Sequence, residues 1–343
     1  MFRSFFMARH WALWAWPGAA LIFLGTWYQV QIDVKINDWF GGFYDVVQKA
    51  LSKPGEVTLS EFFGFLLSFG ELAGTYVLVA VLLGFYTKHW VFRWRQAMND
   101  FYIQHWHTLR QIEGASQRVQ EDTKRFATIM ETLGSNMMDS IMTLFAFLPI
   151  LWTLSKKVSE VPILGQIDHA LVYVAILFAL LGTVALALIG IKLPGLEFNN
   201  QRVEAAYRKE LVHAEDDPAR GAEPVVKDLF AQVRQNYFRL FFHYMYFDVA
   251  KFSYLQFGVL VPYIALGPTV VAGAITLGVM QQIVRAFGRV EMSFQFLVRS
   301  WGTIVELISV YKRLRAFEAQ IGMMEVSRRQ ENRESPANPS AGV

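Results

Sequence analysis

The stretch FATIMETLGSNMMDSIMTLFAFLPILWTLS (residues 126–155) is long and apolar enough to cross a bilayer, yet it carries two acids, Glu131 and Asp139. A helix needs about 20 predominantly apolar residues to span the hydrocarbon. A carboxylate held there costs several kcal/mol unless it is paired, hydrated or put to use. The two acids therefore direct the reading toward transport.

The rest of the chain agrees with a membrane protein. Its 343 residues are 54% hydrophobic and 15% aromatic with only 18% charged, and the mean hydropathy is positive, too apolar for an ordinary soluble domain of this length. The formal net charge of +3 gives no case for nucleic acid as a partner. There is no cysteine, which excludes disulfides, thiolate nucleophiles and Cys-ligated metals. The seven histidines show no ligand spacing with carboxylates, so no metal site is expected.

Hydropathy predicts six crossings and an all-α membrane protein. Residues 11–32, 62–87, 126–155 and 170–191 supply four. The first lacks the short apolar core and small-residue cleavage site of a signal peptide, so it is expected to stay as an anchor. Residues 252–284 are free of charge for longer than one crossing requires, and Gly267-Pro268 with Gly273 to Gly278 divide them into a fifth crossing, residues 247–266, and a sixth, residues 276–311. Residues 88–125 hold seven Lys and Arg and residues 192–239 hold eight, with more in the N-terminus and after Tyr311. By the positive-inside rule these segments and both termini face the cytoplasm. Residues 35–61 read as an amphipathic piece lying on the outer face.

The inner connections look helical. Arg118 with Asp122, Glu121 with Arg125 and Glu204 with Arg208 are i,i+4 pairs. Six helices with long extensions after the second and fourth match, by analogy of plan, the transmembrane domain of an ABC exporter.

Four runs carry a more specific signal: VFRWRQAMND (91–100), IEGASQRVQEDTKRFA (112–127), GIKLPGLEFNNQRVEAAYRKELVHAEDD (190–217) and FRLFFHYMYFDVAKFSYLQ (238–256). Through them residues 11–317 resemble the SbmA/BacA family of peptide-antibiotic transporters. The resemblance implies an exporter-like homodimer in the bacterial inner membrane without a nucleotide-binding domain, taking up peptides and peptide-like antibiotics on the proton gradient. Protons are then the coupling ion, with no cofactor and no ATPase subunit. Better-known members carry roughly two further hydrophobic segments before the point matching Trp11, so this chain reads as a short form. Residues 1–318 are expected to form the transporter domain. Residues 319–343, ending in ESPANPSAGV, read as a cytoplasmic disordered tail.

A proton-coupled carrier needs acids whose proton affinity changes as the cavity switches sides. Glu131 suits that role, and Asp139 falls within about 80° of it and about 12 Å further along an ideal helix. The bland alternatives are an interfacial ion pair for Glu131 and a helix-to-helix hydrogen bond for Asp139. Glu204 and Glu215, eleven residues apart, share a face to within about 20°. From the residues alone Glu204 reads as the partner of Arg208 and Glu215 as the start of an exposed acidic run; the family resemblance instead implies a ladder of coupling glutamates at Glu131, Glu204 and Glu215. Glu121 matches a further family glutamate, but its pairing with Arg125 gives it an equal structural reading. Glu71 divides between cavity lining and a polar contact between helices.

Arg285, Arg289, Arg299 and Glu306 fall within an arc of about 100° on a helical wheel. A lipid-facing position for three arginines is very costly, so a hydrated cavity or a dimer contact is expected.

The leading reading is a proton-driven importer. The alternative is the transmembrane half of an ATP-driven transporter served by a separate ATPase, since no GxxxxGK[ST] motif occurs. A membrane enzyme finds no support, because no nucleophile-base constellation is evident.

Overall fold

A computed structural model describes residues 1–112, 114–158, 160–162, 165, 167–217 and 221–334. Among them there is no strand, and an antiparallel bridge pairs Val161 with Gly165. The helices are α1 (Phe2–Phe6), α2 (Arg9–Ser52), α3 (Leu59–Gln104), α4 (Trp106–Leu109), α5 (Ala115–Gln117), α6 (Thr123–Ile129), α7 (Ser135–Ser155), α8 (Ala170–Gly190), α9 (Leu193–Asp216), α10 (Glu223–Val271), α11 (Leu277–Arg299) and α12 (Trp301–Glu334).

Four helical runs are long and apolar enough to cross a membrane: Leu59–Gln104, Ala115–Ser155, Ala170–Glu215 and Glu223–Val271. Residues 11–32 open α2, where Trp, Tyr and Gln dilute the hydropathy. Residues 276–311 do not form one helix, because the chain breaks at Ser300 between α11 and α12. The long helical extensions are present: α3 runs on to Gln104, and α9 packs along α10.

Three local expectations are corrected. Residues 35–52 are no separate surface piece; α2 continues through them without interruption, carrying Pro17 inside its first turns. Gly267-Pro268 does not end the fifth crossing. Pro262 and Pro268 both lie within α10, and the chain reverses after Val271, where Gly273 takes φ +66°. A proline within a helix removes one hydrogen bond, whereas a left-handed turn calls for a residue without a Cβ. Residues 319–334, expected to belong to a disordered tail, instead continue α12, which runs to Glu334, and residues 335–343, most of the Ser, Pro and Asn-rich end, lie outside the described residues.

The chain divides into two compact units. The first comprises Met1–Trp39, Pro54–Ala146 and the chain from Ser300 onward. Its core is aromatic. Phe2, Phe5 and Phe6 of α1 meet Trp90 and Trp94 of α3, and Trp94 stands edge-on to Phe126 of α6 at 5.2 Å. Ring pairs at these spacings contribute about 0.5–1.5 kcal/mol each beyond their buried area. The N-terminal amine of Met1 pairs with Glu318 of α12, whose carboxylate also accepts from the buried Tyr102 hydroxyl at 2.8 Å.

The second unit comprises Phe40–Lys53 and Phe147–Arg299. Here α8 packs on both α10 and α11, and α9 packs on α10. Close approach is made possible by glycine. A Cβ on Gly182 would stand 2.1 Å from the Tyr254 ring, and one on Gly278 would stand 2.0 Å from the Gly41 carbonyl. That second contact lets the end of α2 cap α11: Gly278 N donates to Asp45 Oδ1 at 2.9 Å and Leu277 N to Gln48 Oε1 at 2.7 Å. These are first-turn N–H groups that no intrahelical carbonyl can satisfy. The segment beyond Lys35 is thus a structural brace. Between α9 and α10, Asn236 accepts from Asn199 at 2.6 Å and donates to Asn200 at 3.1 Å, forming a buried amide clasp.

Candidate functional site

The run from Ala115 to Ser155 is not a uniform α-helix. Two π segments interrupt it, Arg118–Asp122 and Met130–Gly134. Such wide turns are uncommon and occur frequently at functional sites. The first holds Glu121 and Asp122, the second Glu131. An extra residue in a turn displaces the phase by about 100°, so the ideal 80° between Glu131 and Asp139 does not carry over to this helix.

Glu131 is half-buried and opens onto a cavity of about 480 Å³. From α3 the cavity receives Lys88, His89, Phe92 and Arg95, and from α6 it receives Lys124. Among the described residues the Glu131 carboxylate makes no hydrogen bond or ion pair. The ion pair of the bland reading is therefore not found among the described residues. The carboxylate shares this space with the cations Lys88, Arg95 and Lys124 and with the apolar Val91, Phe92 and Ala127.

Asp122 has the opposite surroundings. It is 2% exposed and its oxygens are occupied by Arg118 Nη1 at 2.9 Å and by Arg313 of α12, whose Nη2 and Nε donate at 2.7 and 3.1 Å. Arg313 also reaches Ser309 Oγ at 2.9 Å. Hydrogen bonding to Asp122 holds the Arg313 guanidinium above its ordinary pKa. Close by, Arg125 bridges Glu121 at 3.4 Å and Glu306 at 3.2 Å, with all three side chains near half exposure. The expected pairs Arg118–Asp122 and Glu121–Arg125 both form. Glu306 takes part in this inner cluster rather than in an arginine stripe, because the break at Ser300 places it on α12.

The remaining candidates separate. Asp139 is exposed on α7 and Glu71 is exposed on α3. Glu204 and Glu215 belong to the second unit, with Glu204 half-buried and Glu215 exposed. Because α9 is unbroken from Leu193 to Asp216, they share a face about 16 Å apart. Glu204 makes no ion pair with Arg208 among the described residues, contrary to the i,i+4 expectation. On α11, Arg285 lies over the Phe40 ring at 4.9 Å, Arg289 is half-buried, and the exposed Arg299 donates to Gln295 Oε1 at 2.7 Å. No group of three or more His, Asp or Glu side chains able to hold a metal occurs among the described residues.

Sequence reasoning passed over two groups. Asp122 looked like half of a solvated helical pair; the only sign of its burial was the apolar Val119, Phe126 spacing around it. Glu291 has no motif to mark it in the sequence, and is half-buried with its Oε1 accepting from Gln295 Nε2 at 2.7 Å.

Comparison with known proteins accounts for most of the chain. An inner membrane ABC transporter ATP-binding protein of Escherichia coli, YddA, is 27% identical over 84% of this chain and 54% of its own length. An uncharacterized ABC transporter ATP-binding protein of Synechocystis is 25% identical over 67% of this chain and 34% of its own. One from Haemophilus influenzae is 22% identical over 80% and 48%. The chain thus spans about half the length, or less, of these curated relatives. The model of the SbmA/BacA-like family matches residues 8–322, and this all-helical, membrane-suited chain belongs to that family.

Proposed function

We propose that this member of a membrane transporter family imports peptides and peptide-like antibiotics, driven by protons that load and leave Glu131. The observation that carries the proposal is the position of Glu131 itself: an acid in a membrane-suited helix, on a π segment, facing a cavity and without an ion partner among the described residues. Such an acid is costly to keep unless it works. Glu204 and Glu215 serve as further steps of the relay, one above the other on α9. Glu121, tied to Arg125, holds the inner end of the helix in place.

Two copies make the working unit. Glu71 stands exposed on a helix whose apolar window is entirely unburied in the single chain, and a carboxylate turned to lipid is expensive. A second copy covering that face relieves the cost. Six crossings, with α2 and the α11–α12 pair adding to the four apolar runs, place both termini with the basic inner segments in the cytoplasm of a bacterial inner membrane. Alternating access then depends on protons binding one conformation better than the other.

The relatives favour a second reading. They are named ATP-binding proteins and match this chain over about half their length or less, so a transmembrane half served by a separate ATPase is the competing assignment. Liposomes containing the purified protein separate the two. With a labelled proline-rich peptide and no nucleotide, an acid outside should drive accumulation. Accumulation that ignores the gradient, and appears only when an ATPase and ATP are supplied, would overturn the proton-driven reading.

A further inference from the structure

Glu291 lies on α11 where that helix meets α8 and α10. A Cβ on Gly258 of α10 would come within 3.1 Å of Glu291 Oε1 and within 3.2 Å of the Phe178 ring of α8. Glycine at 258 therefore leaves the space that the carboxylate occupies. Gln295 Nε2 donates to Glu291 Oε1 at 2.7 Å and stands 2.7 Å from the Tyr254 hydroxyl, while Gln295 Oε1 accepts from Arg299 Nη2 at 2.7 Å. The Tyr254 hydroxyl, which accepts from the same Gln295 NH₂ as the carboxylate, donates to the Phe178 carbonyl at 3.5 Å. The ring of Tyr254 is stacked on Phe178 at 4.7 Å and packs against Gly182.

The charges around this acid are few. From α8 comes no charged side chain at all, since residues 170–190 contain none. From α10 comes Tyr254, while Asp248 and Lys251 of that helix pair with each other at 3.7 Å. On α11 itself Arg285 is turned to Phe40, Arg289 lies two residues before Glu291 and so projects to another side, and Arg299 hydrogen-bonds the Gln295 amide and acts on the carboxylate itself by its charge. That amide is polarised at both ends, with its NH₂ toward the carboxylate and its oxygen toward the guanidinium. Its orientation follows the charge on Glu291.

We infer that Glu291 is a second proton-binding site of the carrier, at the junction of α8, α10 and α11, with Gln295 and Tyr254 sensing its charge. The inference rests on the proton-driven reading and adds an acid to it. The carboxylate takes a proton from water and becomes a neutral carboxyl whose O–H donates to Tyr254 Oη. The hold on the Gln295 NH₂ weakens, Arg299 loses its fixed acceptor, and the same proton returns to water when the carboxyl ionises again.

Two measurements on the full-length protein test this. In infrared difference spectra recorded on acidification, the C=O stretch of a newly protonated carboxyl should be present in the native protein, absent from Glu291→Gln and displaced in Tyr254→Phe, which keeps the stacked ring. In liposomes, Glu291→Gln should retain uptake at acid external pH but lose much of its dependence on that pH. An identical band in the native protein and Glu291→Gln overturns the assignment, as does a lost band with an unaltered uptake profile. If Glu291→Gln fails to fold, an undisplaced band in Tyr254→Phe overturns it in the same way. Native uptake indifferent to the gradient removes the proton-driven reading itself, and the infrared band alone then decides whether Glu291 binds a proton.

Discussion

Asp122 and Glu131 lie nine residues apart in one helical run, each on its own π segment, and the folded chain treats them in opposite ways. Asp122 is sealed, with two guanidinium groups on its oxygens. Glu131 faces a cavity and has no fixed partner among the described residues. The difference separates two uses of an acid near a membrane. A carboxylate locked by two arginines is a joint, because taking it out of that geometry leaves buried charges uncompensated. A carboxylate with no fixed partner can change its proton or its partner without breaking such a joint, which is what the proposed coupling role requires.

The largest expected effect tests Glu131. Glu131→Gln should reduce gradient-driven peptide uptake to that of empty liposomes while the thermal unfolding midpoint and elution volume of the purified protein stay as in the native chain. Normal uptake by this variant would erase the contrast with Asp122. The opposite signature is expected of Asp122→Ala. Removing one member of a buried charge cluster should cost about 3 kcal/mol in unfolding measurements, at the low end of the range because both arginines keep some exposure. A variant as stable as the native protein would show that the cluster is no joint.

The amide clasp sharpens the comparison in the second unit. Asn236→Ala leaves the Asn199 and Asn200 amides short of a partner and should cost about 1–3 kcal/mol, read as a lowered unfolding midpoint without a change in the pH dependence of uptake. The smallest effect is expected at Arg125. Its bridge to Glu121 and Glu306 is half exposed, so Arg125→Ala should change stability by no more than about 1 kcal/mol, with any loss reduced further at high salt. A loss as large as that of Asp122→Ala would mean that the inner cluster acts as one network.

Much of the molecule was legible before any coordinates. The apolar runs, the helical inner extensions, two of the three i,i+4 pairs and the family followed from residue type and spacing along the chain. Other features were not. The two π segments leave no mark that spacing would reveal: RVQED and METL are built of residues found throughout α-helices, and a single glycine such as Gly134 does not by itself signal a wide turn. The break at Ser300 falls without proline, within SWG. Pro268 marks no end, because a helix tolerates proline where its neighbours make good the lost bond.

Hydrophobic periodicity and charge spacing act within a few turns of one helix, and so this sequence by itself determined that the protein is helical, apolar enough for a bilayer, related to the SbmA/BacA transporters, and supplied with acids where lipids would exclude them. Burial and pairing are properties of contacts between residues distant in the chain. Only the tertiary structure could decide that Arg313 closes over Asp122 from α12, that Asp45 and Gln48 of α2 cap α11, that Glu131 keeps an open cavity, and that Glu291 stands between Tyr254 and Gln295.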